Sequence, residues 1–447
     1  MSTPFPQPCD LLIEAGWVVP VEPHGAVLVD HAVVVSGGRI LDLLPRAEAN
    51  DRYQPTQTVS RPDAVLLPGL VNAHTHNPMT LMRGVADDLA LMPWLQEHIW
   101  PIEAAVMDAG YVADGVELAI AEMLRGGTTC CNENYFFPDA QAATYHRFGF
   151  RAMVGLPFID FPSKWAASID EYFDKGLEVR DNYRSDALVG FTFAPHAPYT
   201  VGDASFERIR MLAEQLDMQV HCHVHETAQE VADSLREHGL RPLARLDRLG
   251  LVNERLIAVH MTQLTDAEIE LCAERGVSVV HCPQSNLKLA SGLAPIEKLR
   301  RAGANIAIGT DGCASNNDLD MFDEMRTAAL LAKAVAGDAT AMDAASALRA
   351  ATLGGALALG LGERIGSIEA GKEADLTCVR LAGIESLPVY NAVSNLVYAS
   401  GRHQVSDTWI AGRHLLRDGQ LPGFDLEALA AKTRRWGLRI AGIRAQE

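Results

Sequence analysis

Two histidines one residue apart, His74 and His76, close the apolar run Leu70-Val71-Asn72-Ala73-His74-Thr75-His76. Side chains along a strand alternate between faces, so both imidazoles point the same way. Two neutral imidazoles side by side at a strand end can hold a metal ion. Alone, the pair reads equally well as polar residues in a loop. What strengthens the metal reading is recurrence. His196, His223 with Glu226 three residues on, His260, His281 and Asp311 each stand at or just past the end of a later apolar run. Taken singly, each could be a satisfied histidine or a helix-capping aspartate. Chance placement does not readily put all of them at strand ends.

The runs that carry these residues alternate with helical segments. After the strand ending at His76 and a helical region periodic over Asp114 to Leu124, strands are expected at residues 127–132, 151–155, 188–194, 219–223, 256–260, 277–281 and 305–311. Near-continuous apolar strands separated by helices indicate a parallel sheet covered on both faces. Eight such units make a barrel whose active site lies at the C-terminal strand ends. Short apolar runs broken by Gly and Pro before residue 67, and again around 374–379 and 405–413, suggest small antiparallel strands at both ends of the chain. The expected fold is therefore α/β. It is a (β/α)8 TIM barrel over residues 68–365, with a small β-sandwich domain formed by the N- and C-terminal segments, 1–67 and 366–447. An amphipathic helix over 425–443 is expected to lie on the surface.

With 447 residues, 48% hydrophobic content and a mean hydropathy of +0.03, the composition is that of an ordinary globular chain with a large core. A net charge of −19 repels phosphate backbones, so nucleic acid is excluded as a partner. The start, Met1-Ser2-Thr3-Pro4-Phe5-Pro6, shows neither a basic nor an apolar signal region, and no apolar run is long enough to cross a bilayer. The eight cysteines include no Cys-x-x-Cys, and the adjacent Cys130 and Cys131 cannot readily bridge within a strand. This usage fits free, mostly buried thiols in the cytoplasm.

Longer text is more specific. Leu67-Pro68-Gly69-Leu70-Val71-Asn72 before the histidine pair, with His223, His260 and Gly309-Thr310-Asp311-Gly312, resembles the amidohydrolase superfamily. His76-Asn77-Pro78-Met79-Thr80-Leu81-Met82-Arg83-Gly84, Ala194-Pro195-His196-Ala197-Pro198-Tyr199 and His281-Cys282-Pro283-Gln284-Ser285-Asn286 resemble its branch of methylthioadenosine and S-adenosylhomocysteine deaminases, neighbours of the triazine hydrolases. The resemblance covers roughly residues 10 to 420. It implies one zinc per chain on His74, His76, His223 and Asp311, with a position left open for a water whose pKa falls to about 7. It further implies that Asp311 takes a proton from that water, that His260 orients the resulting hydroxide, and that Glu226 shuttles a proton to the ring nitrogen beside the attacked carbon. Glu103 and His196 are assigned to the substrate, Glu103 to ribose hydroxyls, and Trp94 to packing near the purine. His281 is a further pocket candidate. His221 and His225 are read as alternating away from the site and left out.

Two absences refine this. Binuclear relatives carry a bridging carboxylated lysine at the end of strand four, where this chain has Phe193-Ala194-Pro195-His196. The other zinc deaminase class uses His-x-Glu with Pro-Cys-x-x-Cys, and neither pattern occurs. The expected activity is removal of the 6-amino group from a free purine nucleoside, methylthioadenosine above all, by a cytoplasmic homo-oligomer. Rival readings are deamination or dechlorination of another purine or triazine ring, and an inactive metal-binding scaffold. Glu103 speaks against a bare ring. Glu226 and His260 speak against a scaffold. A carboxylate-bearing tail would call for a cation, for which Arg180 and Arg184 are available but tied to the site by no motif. The apolar Pro157-Phe158-Ile159-Asp160-Phe161-Pro162 suits a methylthio group.

Overall fold

The barrel is built from eight parallel strands that pair in sequence order. They are β1 (Leu70–Thr75), β2 (Thr128–Glu133), β3 (Arg151–Phe158), β4 (Val189–Pro195), β5 (Val220–Val224), β6 (Leu256–His260), β7 (Ser278–His281) and β8 (Asn305–Ile308). All eight expected strands are present. The computed structural model describes residues 6–445. The first five residues, read above for a signal region, and the last two of the C-terminal segment lie outside it.

Closure between β8 and β1 falls just beyond the regular ladders. The Asp311 N–H donates to the His74 carbonyl at 3.0 Å, and Thr310 N–H to Asn72 Oδ1 at 3.0 Å. Asn72 Nδ2 in turn donates to Thr310 Oγ1 at 2.7 Å. A Cβ at Gly309 would sit 2.7 Å from the His74 nitrogen, so only glycine lets the seam close. The chemistry that brings β1 against β8 is therefore the same chemistry that places His74 beside Asp311.

The terminal segments join into a single eight-stranded mixed sheet. Its order is Arg413–Leu416, Val405–Ile410, Leu376–Arg380, Tyr53–Pro68, Gln7–Val18, His31–Ser36, Arg39–Pro45, with Leu28–Val29 paired to Gln7–Val18. Leu11 and Ile13 pack on one face and Leu12 on the other. The expectation of antiparallel pairing holds for every neighbour but one. Gln7–Val18 runs parallel to Tyr53–Pro68, a pairing allowed by the crossover through the helix Arg46–Arg52. The first half of Tyr53–Pro68 is hard to see in the sequence because Gln54, Thr56, Gln57 and Ser60 give it no apolar alternation.

The C-terminal helix Leu426–Arg444 lies on the helix Ala109–Arg125. Trp436 Nε1 donates to Asp114 Oδ2 at 2.8 Å, and Lys432 reaches Glu117 at 2.9 Å. Every cysteine is free and buried, and among the described residues no helix is long and apolar enough to cross a membrane.

One buried cation fastens the barrel to the terminal sheet. Arg151, the first residue of β3 and 1% exposed, donates to Asp375 through Nε at 2.7 Å and Nη2 at 2.9 Å, and to Glu373 at 2.6 Å. Removing one member of a buried ionic network leaves uncompensated charge and costs about 3–5 kcal/mol. Arg151→Met is therefore expected to lower the free energy of unfolding by that amount, read as a lower urea midpoint, while leaving kcat near its parent value. An unchanged midpoint would show that Arg364, 2.8 Å from Glu373, already suffices.

Candidate active site

Four nitrogen and oxygen atoms converge where β1, β5 and β8 end. Asp311 Oδ1 lies 3.2 Å from His74 Nε2 and 3.2 Å from His76 Nε2, and His223 Nε2 lies 3.3 Å from His74 Nε2. Metal bonds of roughly 2.0–2.1 Å in a tetrahedron separate ligand atoms by about 3.3 Å. These three spacings match that figure, and His74 is the residue shared by two groups whose ligand atoms lie within 4.8 Å of one another, His74-His76-Asp311 and His74-His223-His260.

The far ring nitrogens explain why the near ones can act as ligands. His223 Nδ1–H donates to the His196 carbonyl at 2.6 Å, and His76 Nδ1–H donates to the Asn134 carbonyl. A carbonyl can only accept, so both rings carry their proton on Nδ1 and present a lone pair at Nε2. His74 Nδ1 faces His221 Nε2 at 2.8 Å. His223 Nε2 presents its lone pair 3.3 Å from His74 Nε2. The donor set thus fits a zinc ion.

His221 corrects the expectation that it turns away. Residues two apart on a strand share a face, so His221 points inward with His223, one layer deeper and behind His74. His225 does leave the site. Its backbone turns at φ +54°, its Nδ1 lies 3.1 Å from the Gln263 carbonyl, and its Nε2 accepts from Leu243 N–H at 3.0 Å.

Asp311 Oδ2 accepts from Ser285 Oγ at 2.6 Å and Ser315 Oγ at 3.0 Å, which leaves Oδ1 for the cluster. Burial favours the neutral acid, but His74 and His76 outweigh it and hold the carboxyl well below the usual range. The two rings divide the available proton unequally. Burial pushes His74 down to about 4. Burial also opposes charge on His76, but the Asp311 carboxylate lifts that ring to about 9. Without a cation, His76 is the ring that takes the proton, and metal binding must displace it.

His260 Nδ1 lies 2.8 Å from Asn286 Oδ1, so it carries the proton there and turns Nε2 toward Glu226, 3.7 Å away. Glu226 is buried. Its backbone N–H donates to Glu230 at 2.7 Å, and its own Oε1 is 3.4 Å from Ser291 Oγ. Burial holds its carboxyl above the ordinary range. Non-glycine residues at φ +74° (His260) and +61° (Asp311) put left-handed strain, of order 1–3 kcal/mol each, at the two strand ends where the cluster needs it.

These side chains open into a cavity of about 470 Å³. Glu103, His196 and Trp94 all line it, as the sequence leads one to expect. Glu103 accepts from Tyr135 Oη at 2.5 Å, and burial pushes its carboxyl up to about 7. Trp94 begins a wide π-type turn, Trp94–Ile99, of a kind often found at functional sites. Pro157, Phe158, Ile159, Phe161 and Pro162 form an apolar wall. His281 is buried but does not line the cavity. Arg180 and Arg184 lie in a separate groove with Arg151, at the opposite end of the barrel. Missed by sequence reasoning were Asn134, Tyr135, Tyr199 and Lys164, which line the cavity, and Ser285, Ser315 and Asn286, which hold Asp311 and His260. Tyr199, Ser285 and Asn286 stand in quoted motifs. The others carry no local signal.

Residues 65–415 match the amidohydrolase family. A 5-methylthioadenosine/S-adenosylhomocysteine deaminase of Teredinibacter turnerae is 46% identical over 97% of this chain and 98% of its own length. The crystal structure of an adenosine deaminase from Xanthomonas campestris with bound zinc is 69% identical and superposes with a TM-score of 0.97, covering 98% of this chain and 100% of that one. A triazine hydrolase from Arthobacter aurescens shares the fold at a TM-score of 0.88 and 23% identity, covering 95% of this chain and 99% of that one.

Proposed function

The chain belongs to the amidohydrolase family, and on that premise we propose that it is a zinc-dependent aminohydrolase of free adenine nucleosides, with 5′-methylthioadenosine the preferred substrate. The observation that carries this reading is the cluster of ligand atoms around His74, with Asp311 and His223 each within 3.3 Å of its Nε2 and His76 3.2 Å from Asp311, on a cavity that also holds Glu226, His260 and Glu103. His74, His76, His223 and Asp311 would hold one zinc, which supplies a Lewis acid that makes water a nucleophile at neutral pH. Asp311, with Oδ2 fixed by two serine hydroxyls, receives the proton that water gives up. His260 Nε2 orients the attacking oxygen. Glu226 delivers a proton to the ring nitrogen beside the attacked carbon. The proton held by Asp311 passes to the amino nitrogen, the carbon–nitrogen bond breaks as the new carbon–oxygen bond becomes a carbonyl, the amino group leaves as ammonia, and the hydroxyl proton returns to Glu226. His196 lies against the base. Glu103, pinned by Tyr135, accepts from the ribose hydroxyls.

The 5′ end sets the choice among nucleosides. The aromatic and apolar wall around Phe158 and Phe161 suits a thioether methyl group. Among the lining residues Lys164 is the one Lys or Arg side chain, and it is exposed. An exposed ion pair contributes about 0.2–1 kcal/mol, a factor of roughly 1.4–5 in KM. S-adenosylhomocysteine, which carries a carboxylate on its tail, is therefore expected to be turned over with lower kcat/KM than methylthioadenosine. Lys164→Ala should raise KM for the former by about that factor and leave the latter unchanged. Steady-state ammonia release from methylthioadenosine, S-adenosylhomocysteine, adenosine and guanine tests the ranking. A guanine preference would overturn the nucleoside reading.

A further inference from the structure

We propose that Glu133 is the positioning residue that fixes His76 as a metal ligand, acting through the backbone on both sides of that ring. The proposal rests on the zinc reading above. Glu133 ends β2 and is fully buried. Its carboxylate accepts from the Asn77 N–H at 3.1 Å (Oε1) and 3.0 Å (Oε2), from the Asn134 N–H at 3.1 Å, and from Tyr145 Oη at 3.0 Å.

Two of those partners are the backbone that frames His76. Asn77 follows it in the chain. Asn134 supplies the carbonyl that takes the His76 Nδ1 proton, and its N–H also reaches the Thr75 carbonyl at 3.0 Å. One carboxylate therefore clamps the residue after the ligand and the residue that sets its tautomer. Tyr145 extends the clamp, since its hydroxyl also accepts from Asn77 Nδ2 at 2.6 Å.

Among the described residues no Lys, Arg or His forms an ion pair with Glu133; its hydrogen-bond partners are two backbone N–H groups and the Tyr145 hydroxyl, all of them around His76 or on the helix beside it. Leucine or methionine would fill the volume but leave the Asn77 N–H without its acceptor.

Removing outer partners of metal ligands typically weakens metal binding about 10–100-fold. Glu133→Gln keeps the shape, removes the charge and turns an amide N–H against the Asn77 N–H. Its zinc dissociation constant, measured by competition with a chromophoric chelator, should rise about 10–100-fold. The cobalt-substituted variant should show an altered visible absorption spectrum, and KM at saturating zinc should stay within twofold of the parent. Glu133→Asp, which keeps the charge but shortens the reach, should fall between the two and serves if the glutamine variant does not fold. Glu297→Gln is the control, because it removes a buried carboxylate held by Arg300 and Arg301 on a remote helix. It should lose stability and keep parental zinc affinity. Parental zinc affinity and an unchanged cobalt spectrum in Glu133→Gln or Glu133→Asp would overturn the proposal, as would equal loss of zinc in Glu297→Gln. Failure of the parent protein itself to bind zinc would instead remove the reading on which the proposal rests.

Discussion

Glu226→Gln is expected to retain its zinc and to lose about 10²–10⁴-fold in kcat, the range general acid–base catalysis supplies. The substitution changes little except the proton. Glutamine has the same size, and the backbone N–H of residue 226 keeps its bond to Glu230. The side chain is not in the cluster of ligand atoms, so metal content should not follow it. What changes is that an amide can neither take up nor release a proton at the ring nitrogen. Burial also gives the parental carboxyl its reach. Because desolvation holds Glu226 above the ordinary carboxylate range, its acidic form persists to higher pH than that of a free glutamate. The part of the parental rate that needs this proton is present below that raised value and is lost as pH rises through it. The variant should therefore lack that limb of the profile as well as the rate. A loss confined to kcat marks an interaction made in the transition state, whereas a rise in KM alone would mark uniform binding. Near-parental turnover would show that the proton travels by another route.

The elements that place these groups were legible because a buried parallel strand needs an unbroken apolar run, and the runs of β1, β4, β5, β6, β7 and β8 end at or just before a residue type that cannot be buried cheaply. That pairing of signals located His74, His76, His223, His260 and Asp311 without any view of the barrel. The parity of a strand was equally legible, and it puts His221 on the same face as His223, behind His74. Reading His221 as turned away lost the partner that His74 Nδ1 meets at 2.8 Å. Relations set by the barrel rather than by the local chain stayed hidden. Tyr135 meets Glu103 because β2 stands beside the loop after β1, and Ser315 meets Asp311 because the chain doubles back after β8. Arg180 and Arg184 show the converse. They precede β4 and so sit at its N-terminal end, as far from the chemistry as the barrel allows. The parallel pairing of Gln7–Val18 with Tyr53–Pro68 was hidden for a further reason: a polar strand is held by its backbone bonds, and these leave no mark on composition.

His74→Ala should abolish stoichiometric zinc and, with it, turnover. His74 is the hub of the cluster. It is fully buried, its Nε2 lies within 3.3 Å of both Asp311 Oδ1 and His223 Nε2, and its Nδ1 is held by His221. Alanine removes one ligand and leaves His221 without its partner. It also frees Asp311 from one of the two imidazoles that keep its carboxyl ionised, so that burial, which favours the neutral acid, gains weight. Ligand atoms must be deprotonated to bind, so the loss at residue 311 compounds the loss at residue 74. Zinc affinity should consequently fall by more than the roughly 10–100-fold that removal of an outer hydrogen-bond partner costs. The same variant separates zinc as a catalyst from zinc as a structural staple. A site that leaves room for substrate adds little to the packing of a barrel this size, so the far-ultraviolet circular dichroism of the metal-free variant should match that of the parent. Metal analysis after dialysis against chelator, beside the His74→Ala, His223→Ala double variant, checks this directly. One tightly held zinc in the double variant, or two per parental chain, would overturn the mononuclear site.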